Sequence, residues 1–271
     1  GTMQIVYKDG SEFKLEYDDE KHSYVVDGNK IPSVTKVIDS CFPKYLVDWA
    51  VQESASFFLQ SVEPYRRVDP ATFFIPFKVV DHIHEGILTA SKTISEHAAD
   101  IGSTVHDWIS QGIRYKLGNT ELPATPSDDE AINCIEAFRE WANGKDINWI
   151  STEQKVYYHS DIVSERFAGT VDAVAEINGR EYVIDFKTSK KIYKPYHLQV
   201  AAYAKAIGRM YDTKPWGLIL RLDKETGKFQ EKVFNPEPHY EVFDLCLKLR
   251  KWSSTRIKNE FSPDLQGPDG R

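Results

Sequence analysis

The run Tyr182-Val183-Ile184-Asp185-Phe186-Lys187-Thr188 places a carboxylate and an ammonium two residues apart in an otherwise apolar segment. In a strand, alternate side chains share a face. Asp185 and Lys187 then point one way, while Ile184 and Phe186 point into a core. Upstream, Gly169-Thr170-Val171-Asp172-Ala173-Val174 sets Asp172 on the face opposite Val171 and Ala173. A hairpin across Asn178-Gly179 brings Asp172 near Asp185. Two converging carboxylates repel unless a cation joins them, and oxygen ligands of this kind suit Mg²⁺ or Mn²⁺. The Lys187 ammonium beside them can orient or help deprotonate a water and stabilise a pentavalent phosphate. An isolated Asp-x-Lys on a wet strand is also an ordinary salt bridge, so the reading depends on what accompanies it.

Several residues do. Gln199 and Tyr203 are spaced i,i+4 on the helix expected after the strand, on one face. Gly102-Ser103-Thr104-Val105-His106 falls inside an expected helix; a glycine there costs about 1 kcal/mol relative to Ala and permits close approach on the His106 face. Glu153 lies in the strand before Asp172. Lys187, Lys190, Lys191 and Lys194 cluster after the catalytic strand and could grip phosphates. Arg66-Arg67, Arg250-Lys251 and Arg256 are further cations. Phe73, Phe74 and Phe77 read as packing residues with base stacking as a second reading. His82 and His84 are expected on a helix, where an i,i+2 pair splays apart and does not bind metal.

The elements that must position these residues follow from pattern. Residues 4–8, 12–17 and 22–26 alternate polar and apolar around Asp9-Gly10 and Asp27-Gly28, predicting a three-stranded meander in a region spanning 1–30. From 31 to 146 the chain reads as helical. Ser33 caps a helix carrying Val34, Val37 and Ile38. Residues 44–60 follow, with Leu46, Trp49, Ala50 and Phe57 inward, then an irregular 61–76. Two helices are expected at 77–90 and 92–116, a loop at 118–127, and a helix to about Asn143 whose Asp128-Asp129-Glu130 start suits the dipole. From 147 to 260 the order is β-β-β-α-β-β-α: strands 148–158, 166–177 and 181–187, helix 195–210, a hairpin of 215–222 and 228–234, and helix 236–258. Residues 261–271 read as a frayed tail.

The 271 residues are 41% hydrophobic and 28% charged, ordinary for a globular chain that buries a core, and 13% aromatic. The net charge of −7 disfavours a passive nucleic-acid binder but leaves room for a basic groove on an acidic exterior. Cys41, Cys134 and Cys246 form no CxxC pair and read as buried free thiols in a reducing compartment. No Walker A sequence is present. No apolar run is long enough to span a bilayer, and no signal peptide precedes the first strand. Gly1-Thr2 reads as a remnant ahead of a native start at Met3.

The order G-x-x-x-H (Gly102, His106), E (Glu153), G-T-V-D (to Asp172), I-D-F-K-T (Asp185 to Thr188) and Q-x-x-x-Y (Gln199, Tyr203) resembles the RecB-like branch of the PD-(D/E)XK nucleases. That branch includes the CRISPR adaptation nucleases and the mitochondrial genome maintenance exonuclease. Ile31-Pro32-Ser33-Val34-Thr35 resembles an N-terminal element of the mitochondrial enzyme and its phage and bacterial relatives. The motifs run from about residue 31 to residue 203. The resemblance implies an α/β (mixed α+β) restriction-endonuclease-like core, a central mixed sheet flanked by helices, with a helical N-terminal half arching over the active site. It implies Asp172, Asp185 and the Phe186 backbone carbonyl as metal ligands for one or two Mg²⁺ or Mn²⁺ ions. Lys187 would act on the water, His106 at a second metal position, and Glu153 on metal or water. Gln199, Tyr203, Gly102, Ser103, Thr188, Lys190 and Lys191 would support the site and touch DNA. No iron–sulfur cluster and no ATP are expected. The implied activity is a DNA exonuclease preferring single strands or free ends in repair, recombination or replication. It would work alone or with a helicase or single-strand annealing protein, off the membrane, in the cytoplasm or, for a eukaryotic homologue, the mitochondrion. The alternatives are a duplex-end resecting exonuclease, a restriction-like endonuclease, or an inactive binding module on this fold.

Overall fold

The computed structural model describes residues 1–66 and 74–255, with the side chains of 44–49 set aside. The expectations on Phe73, Arg67, Arg256, the Leu46 and Trp49 side chains and the C-terminal tail lie outside the described residues. The N-terminal sheet has four strands in sequential antiparallel order: β1 Thr2–Val6, β2 Glu12–Asp18, β3 Ser23–Val26 and β4 Asn29–Ile31. The fourth was not expected. Three residues are too few to show an alternation, but Asp27 (φ 48°) and Gly28 (φ 84°) both lie in the left-handed region, as a two-residue type I′ hairpin requires.

Six α-helices follow among the described residues: α1 Val34–Cys41, α2 Lys44–Val62, α3 Phe77–Lys116, α4 Asp129–Ala142, α5 Tyr196–Tyr211 and α6 Glu237–Ser254. Ser33 caps α1 by accepting from the Lys36 amide, and Val34, Val37 and Ile38 are buried as expected. Asp128 caps α4. The two helices expected at 77–90 and 92–116 are one continuous helix of 40 residues. Nothing between Ala90 and Lys92 breaks a helix, and Gly86, the one weak former there, is retained for packing. A Cβ at Gly86 would overlap the Phe57 ring of α2.

The second sheet has the order β5-β6-β7-β8-β9: Ile147–Tyr158, Phe167–Ile177, Arg180–Lys187, Trp216–Leu222 and Phe229–Phe234. All its pairings are antiparallel except β7–β8, which is parallel with α5 as the crossover. Both faces are covered. On one lie α1, α5, α6 and the N-terminal meander, packed around Leu15, Val37, Val183, Val200, Ile219 and Phe243. On the other lie α4 and the second half of α3, packed around Val105, Ile109, Trp141, Ile184, Phe186 and Leu220. The region from 31 to 146 thus supplies layers on both faces. Asp185 shares its face with Val183, so burial of Ile184 and Phe186 on the far face fixes where Asp185 points. Cys41, Cys134 and Cys246 are free thiols, and Cys134 and Cys246 are buried.

Because α1 carries three core residues into the larger hydrophobic cluster, its cap bears on the whole fold. Ser33→Ala is expected to lower unfolding free energy by about 1 kcal/mol and Ser33→Gly by only a few tenths. Urea denaturation of both variants checks this. Equal losses would mean that Ser33 acts by packing rather than by capping.

Candidate active site

The β6–β7 hairpin turns at Asn178 and Gly179, both left-handed (φ 50° and 82°). Pairing runs from Ile177↔Arg180 to Ala173↔Ile184, so the next positions in register are Asp172 and Asp185. Beyond the last pair the ladder changes character. The Phe186 amide donates 2.9 Å to Asp172 Oδ2 instead of to a carbonyl. On the other side, β5 pairs with β6 at Thr152↔Ala173 and Gln154↔Val171, which sets Glu153 across from Asp172. Three carboxylates therefore stand in a row on three neighbouring strands. Glu153 has φ 48°, a left-handed conformation that is costly for a non-glycine residue and is often retained where it serves a site. The Thr152 hydroxyl donates 2.9 Å to the Asp172 carbonyl and steadies the strand beside it.

α3 brings His106 in from the far side. Its Nδ1 is 3.5 Å from Asp172 Oδ1. One donor atom each of His106, Glu153 and Asp172 lies within 4.8 Å of the others, close enough to share one ion. Asp185 is 2% exposed, and its Oδ2 is buried without a hydrogen bond. The Lys187 Nζ lies 2.9 Å from that oxygen and forms an ion pair with it. The donor atoms of His106, Glu153 and Asp172, with the buried Asp185 carboxylate next in register on the neighbouring strand, fit a divalent cation.

Lys187 is held from three sides. It donates 2.7 Å to Gln199 Oε1, lies 4.5 Å above the Tyr196 ring, and pairs with Asp185. Gln199 in turn donates 3.4 Å to the Tyr203 hydroxyl. Tyr203 is buried, and its ring packs where a Cβ on Gly169 would come within 2.6 Å of Cε1, so glycine is needed at 169.

Burial penalises every charge here, and the partners decide the outcome. Burial pushes the Asp185 carboxyl up to about 6 against the pull of Lys187. Burial and then the Asp172 charge raise Glu153 to about 7. Burial opposes the His106 charge, but Asp172 outweighs it and lifts the imidazole to about 9. For Asp172 itself the penalty of burial is overcome by His106 and the Phe186 amide, which hold it below the usual carboxylate range. Burial likewise works against the Lys187 charge, and Asp185 and Asp172 keep it protonated.

The other expected site residues are placed differently. Ser103 lies with His106 on a groove of about 1210 Å³ that also reaches Glu153, Asp172, Gln199 and Tyr203. A Cβ on Gly102 would meet Thr188 Oγ1 at 3.6 Å, an ordinary contact, so the close approach expected at that glycine does not require it. Thr188 and Lys190 line a second cavity of about 630 Å³ beyond Lys187, where Lys190 lies 3.4 Å from Glu53. Lys191 sits over the Tyr193 ring at 5.2 Å. His82 and His84 are on α3, both exposed. Among residues the sequence did not single out are Thr152, Tyr196 and Lys155, and the groove wall formed by Tyr17, Asp19 and Tyr24 of the meander. Period-two spacing from Glu153 would have found Lys155; nothing local points to the meander.

In metal-free protein, Asp185, Glu153 and His106 all keep protons to higher pH than they would unfolded. The folded state then binds more protons than the unfolded state from the ordinary carboxylate range up to about pH 9, and stability falls as pH rises through that window. Asp172, shifted the other way, loses its contribution only at acid pH. Thermal melting in EDTA should show Tm declining from pH 5 to pH 9, with Glu153→Gln making the decline below about pH 7 shallower and Asp185 supplying what is left of it. A flat profile in wild type would contradict the assigned electrostatics.

A sequence profile described as the PD-(D/E)XK nuclease superfamily matches residues 80–268. No curated protein matches the chain significantly. A crystal structure of the protein SSO0001 is similar at 15% identity over 55% of this chain and 74% of that one, with a TM-score of 0.30. Nucleases of this superfamily use divalent metals, in keeping with the His106, Glu153 and Asp172 cluster. With well over half of its length matched and a mixed five-stranded sheet flanked by helices, the chain belongs to the PD-(D/E)XK nuclease superfamily.

Proposed function

We propose that the protein is a metal-dependent DNA exonuclease that hydrolyses phosphodiester bonds, prefers single strands or free ends, and serves DNA repair, recombination or replication. The observation that carries this reading is the row of Glu153, Asp172 and Asp185 across three adjacent strands with the Lys187 ammonium 2.9 Å from Asp185. Asp172, Asp185 and the Phe186 carbonyl would hold Mg²⁺ or Mn²⁺, with His106 and Glu153 offering further donors. Bound there, the cation supplies positive charge to the scissile phosphate and acidifies a water.

The chain's own groups do the rest. Lys187, fixed by Gln199 and Tyr196, orients the attacking water and stabilises charge that develops on the phosphate. Its position is set before substrate arrives, so little reorganisation is needed in the reaction. Glu153, with its carboxyl near neutrality, can accept a proton at physiological pH. Gln199, backed by the Tyr203 hydroxyl, holds Lys187 in its place beside Asp185. The preference for a single strand is supported by the approach. Asp185 is 2% exposed and lines neither of the two cavities, whose walls share Thr35 and Gln199. A duplex offers its phosphates on a wide, stiff surface, which a shallow site accepts more readily than a recessed one. Among the described residues no helix is long and apolar enough to cross a membrane.

End-labelled single-stranded and blunt duplex DNA, with Mg²⁺, Mn²⁺ or EDTA, test the reading. Single strands should shorten in either metal and stay intact in EDTA. Lys187→Met should slow the reaction on the order of 10²–10³-fold, the loss seen when one preorganised charge-stabilising donor is removed. Faster digestion of blunt duplex would favour the duplex-end resecting alternative. DNA binding without cleavage in any metal would favour an inactive binding module.

A further inference from the structure

We infer that the polar face of α3 beyond His106 is a track for the phosphate backbone of the substrate strand, with Arg114 as its phosphate-binding residue. This rests on the nuclease reading and extends it away from the reacting phosphate. Ser103, His106, Asp107, Gln111 and Arg114 recur at three- and four-residue spacing and all line the groove that reaches Glu153 and Asp172, with the buried Ser110 beneath them. The opposite face of the same helix, Ile101, Val105, Ile109 and Ile113, is buried. Every side chain that α3 shows to the groove from Ser103 onward is thus polar, and the carboxylate row stands at one end of that face.

Charge singles out Arg114. The groove is acidic, with Asp19, Asp107, Glu153 and Asp172 on its walls. Two cations of fixed charge share those walls. Lys155 has only 10% of its side chain exposed and is paired with Asp19 at 2.5 Å. Arg114 is exposed and has no ion-pair partner among the described residues. An unpaired guanidinium in a groove whose other fixed cation is already paired offers a forked donor set suited to a phosphate. It is eight residues past His106, about 12 Å along the helix axis, which places it about two nucleotides from the reaction centre.

The test uses the full chain with Arg114→Ala and Arg114→Lys. Substrates are single-stranded DNA of about twenty nucleotides and, as a minimal diester, thymidine 5′-(p-nitrophenyl phosphate). On the long strand Arg114→Ala should raise KM about tenfold with kcat nearly unchanged, and should lower the salt dependence of log KM by about one. Arg114→Lys should recover part of the loss. On the minimal diester, which cannot reach Arg114, neither variant should differ from wild type. An equal defect on both substrates, or a fall in kcat at constant KM, would mean that Arg114 acts through Glu153 and would overturn the proposal. No change on either substrate would overturn it as well. A wild-type protein that cleaves neither substrate in any metal would sink the nuclease reading instead. Fluorescence anisotropy of single-strand binding against salt then still decides whether Arg114 contacts a phosphate.

Discussion

Three carboxylates on adjacent strands repel one another, and burying them multiplies the repulsion. Coulomb energy rises as the local dielectric falls, and Asp185 at 2% exposure has little water to screen it. The rest of the site can be read as the set of groups that make this arrangement tolerable. Lys187 neutralises Asp185, the Phe186 amide and His106 stabilise Asp172, and Glu153 stays near neutrality. What remains is a cluster of donors on His106, Glu153 and Asp172, and a divalent cation is the group best able to complete it.

The fold serves that constraint by bringing distant segments to one end of the sheet. The type I′ turn at Asn178-Gly179 sets the register that opposes Asp172 to Asp185. The parallel crossover returns α5 over the sheet, so Gln199 and Tyr196 hold Lys187 from above while Tyr203 fills the space left by Gly169. α3, anchored on the other face by Val105 and Ile109, brings His106 to Asp172 where the β6–β7 pairing ends. Both faces of the sheet therefore contribute to a site where the β6–β7 pairing ends. Packing on either face is coupled to the geometry of the carboxylates.

What the sequence shows plainly is what local pattern controls. Alternation in β7 and the Asn-Gly turn place Asp185, Lys187 and Asp172 before any tertiary contact is known, because both depend on a few consecutive residues. The Ser33 cap and the buried face of α1 are local for the same reason. Other features depend on partners far along the chain. The Lys190 and Lys191 cluster is visible in sequence, but that one lies beside Glu53 and the other over Tyr193 is not. Gly102 permits close approach on the His106 face, and only the fold shows that its nearest neighbour, Thr188 Oγ1, would also admit a methyl group. β4 is too short to show a period, and α3 runs through a point where two helices were expected, since nothing there breaks it. The left-handed backbone of Glu153 and the groove wall from the meander arise from assembly and have no local signal.

The central claim is that Asp172 and Asp185 share a divalent cation. Crystals grown without metal and soaked in Mn²⁺, measured for anomalous scattering, test it most directly. The account predicts a difference peak about 2.1 Å from an oxygen of each of Asp172 and Asp185, absent in crystals of Asp185→Asn. Ordered side chains with no peak between them at millimolar Mn²⁺, or a peak only at some other site, would contradict it.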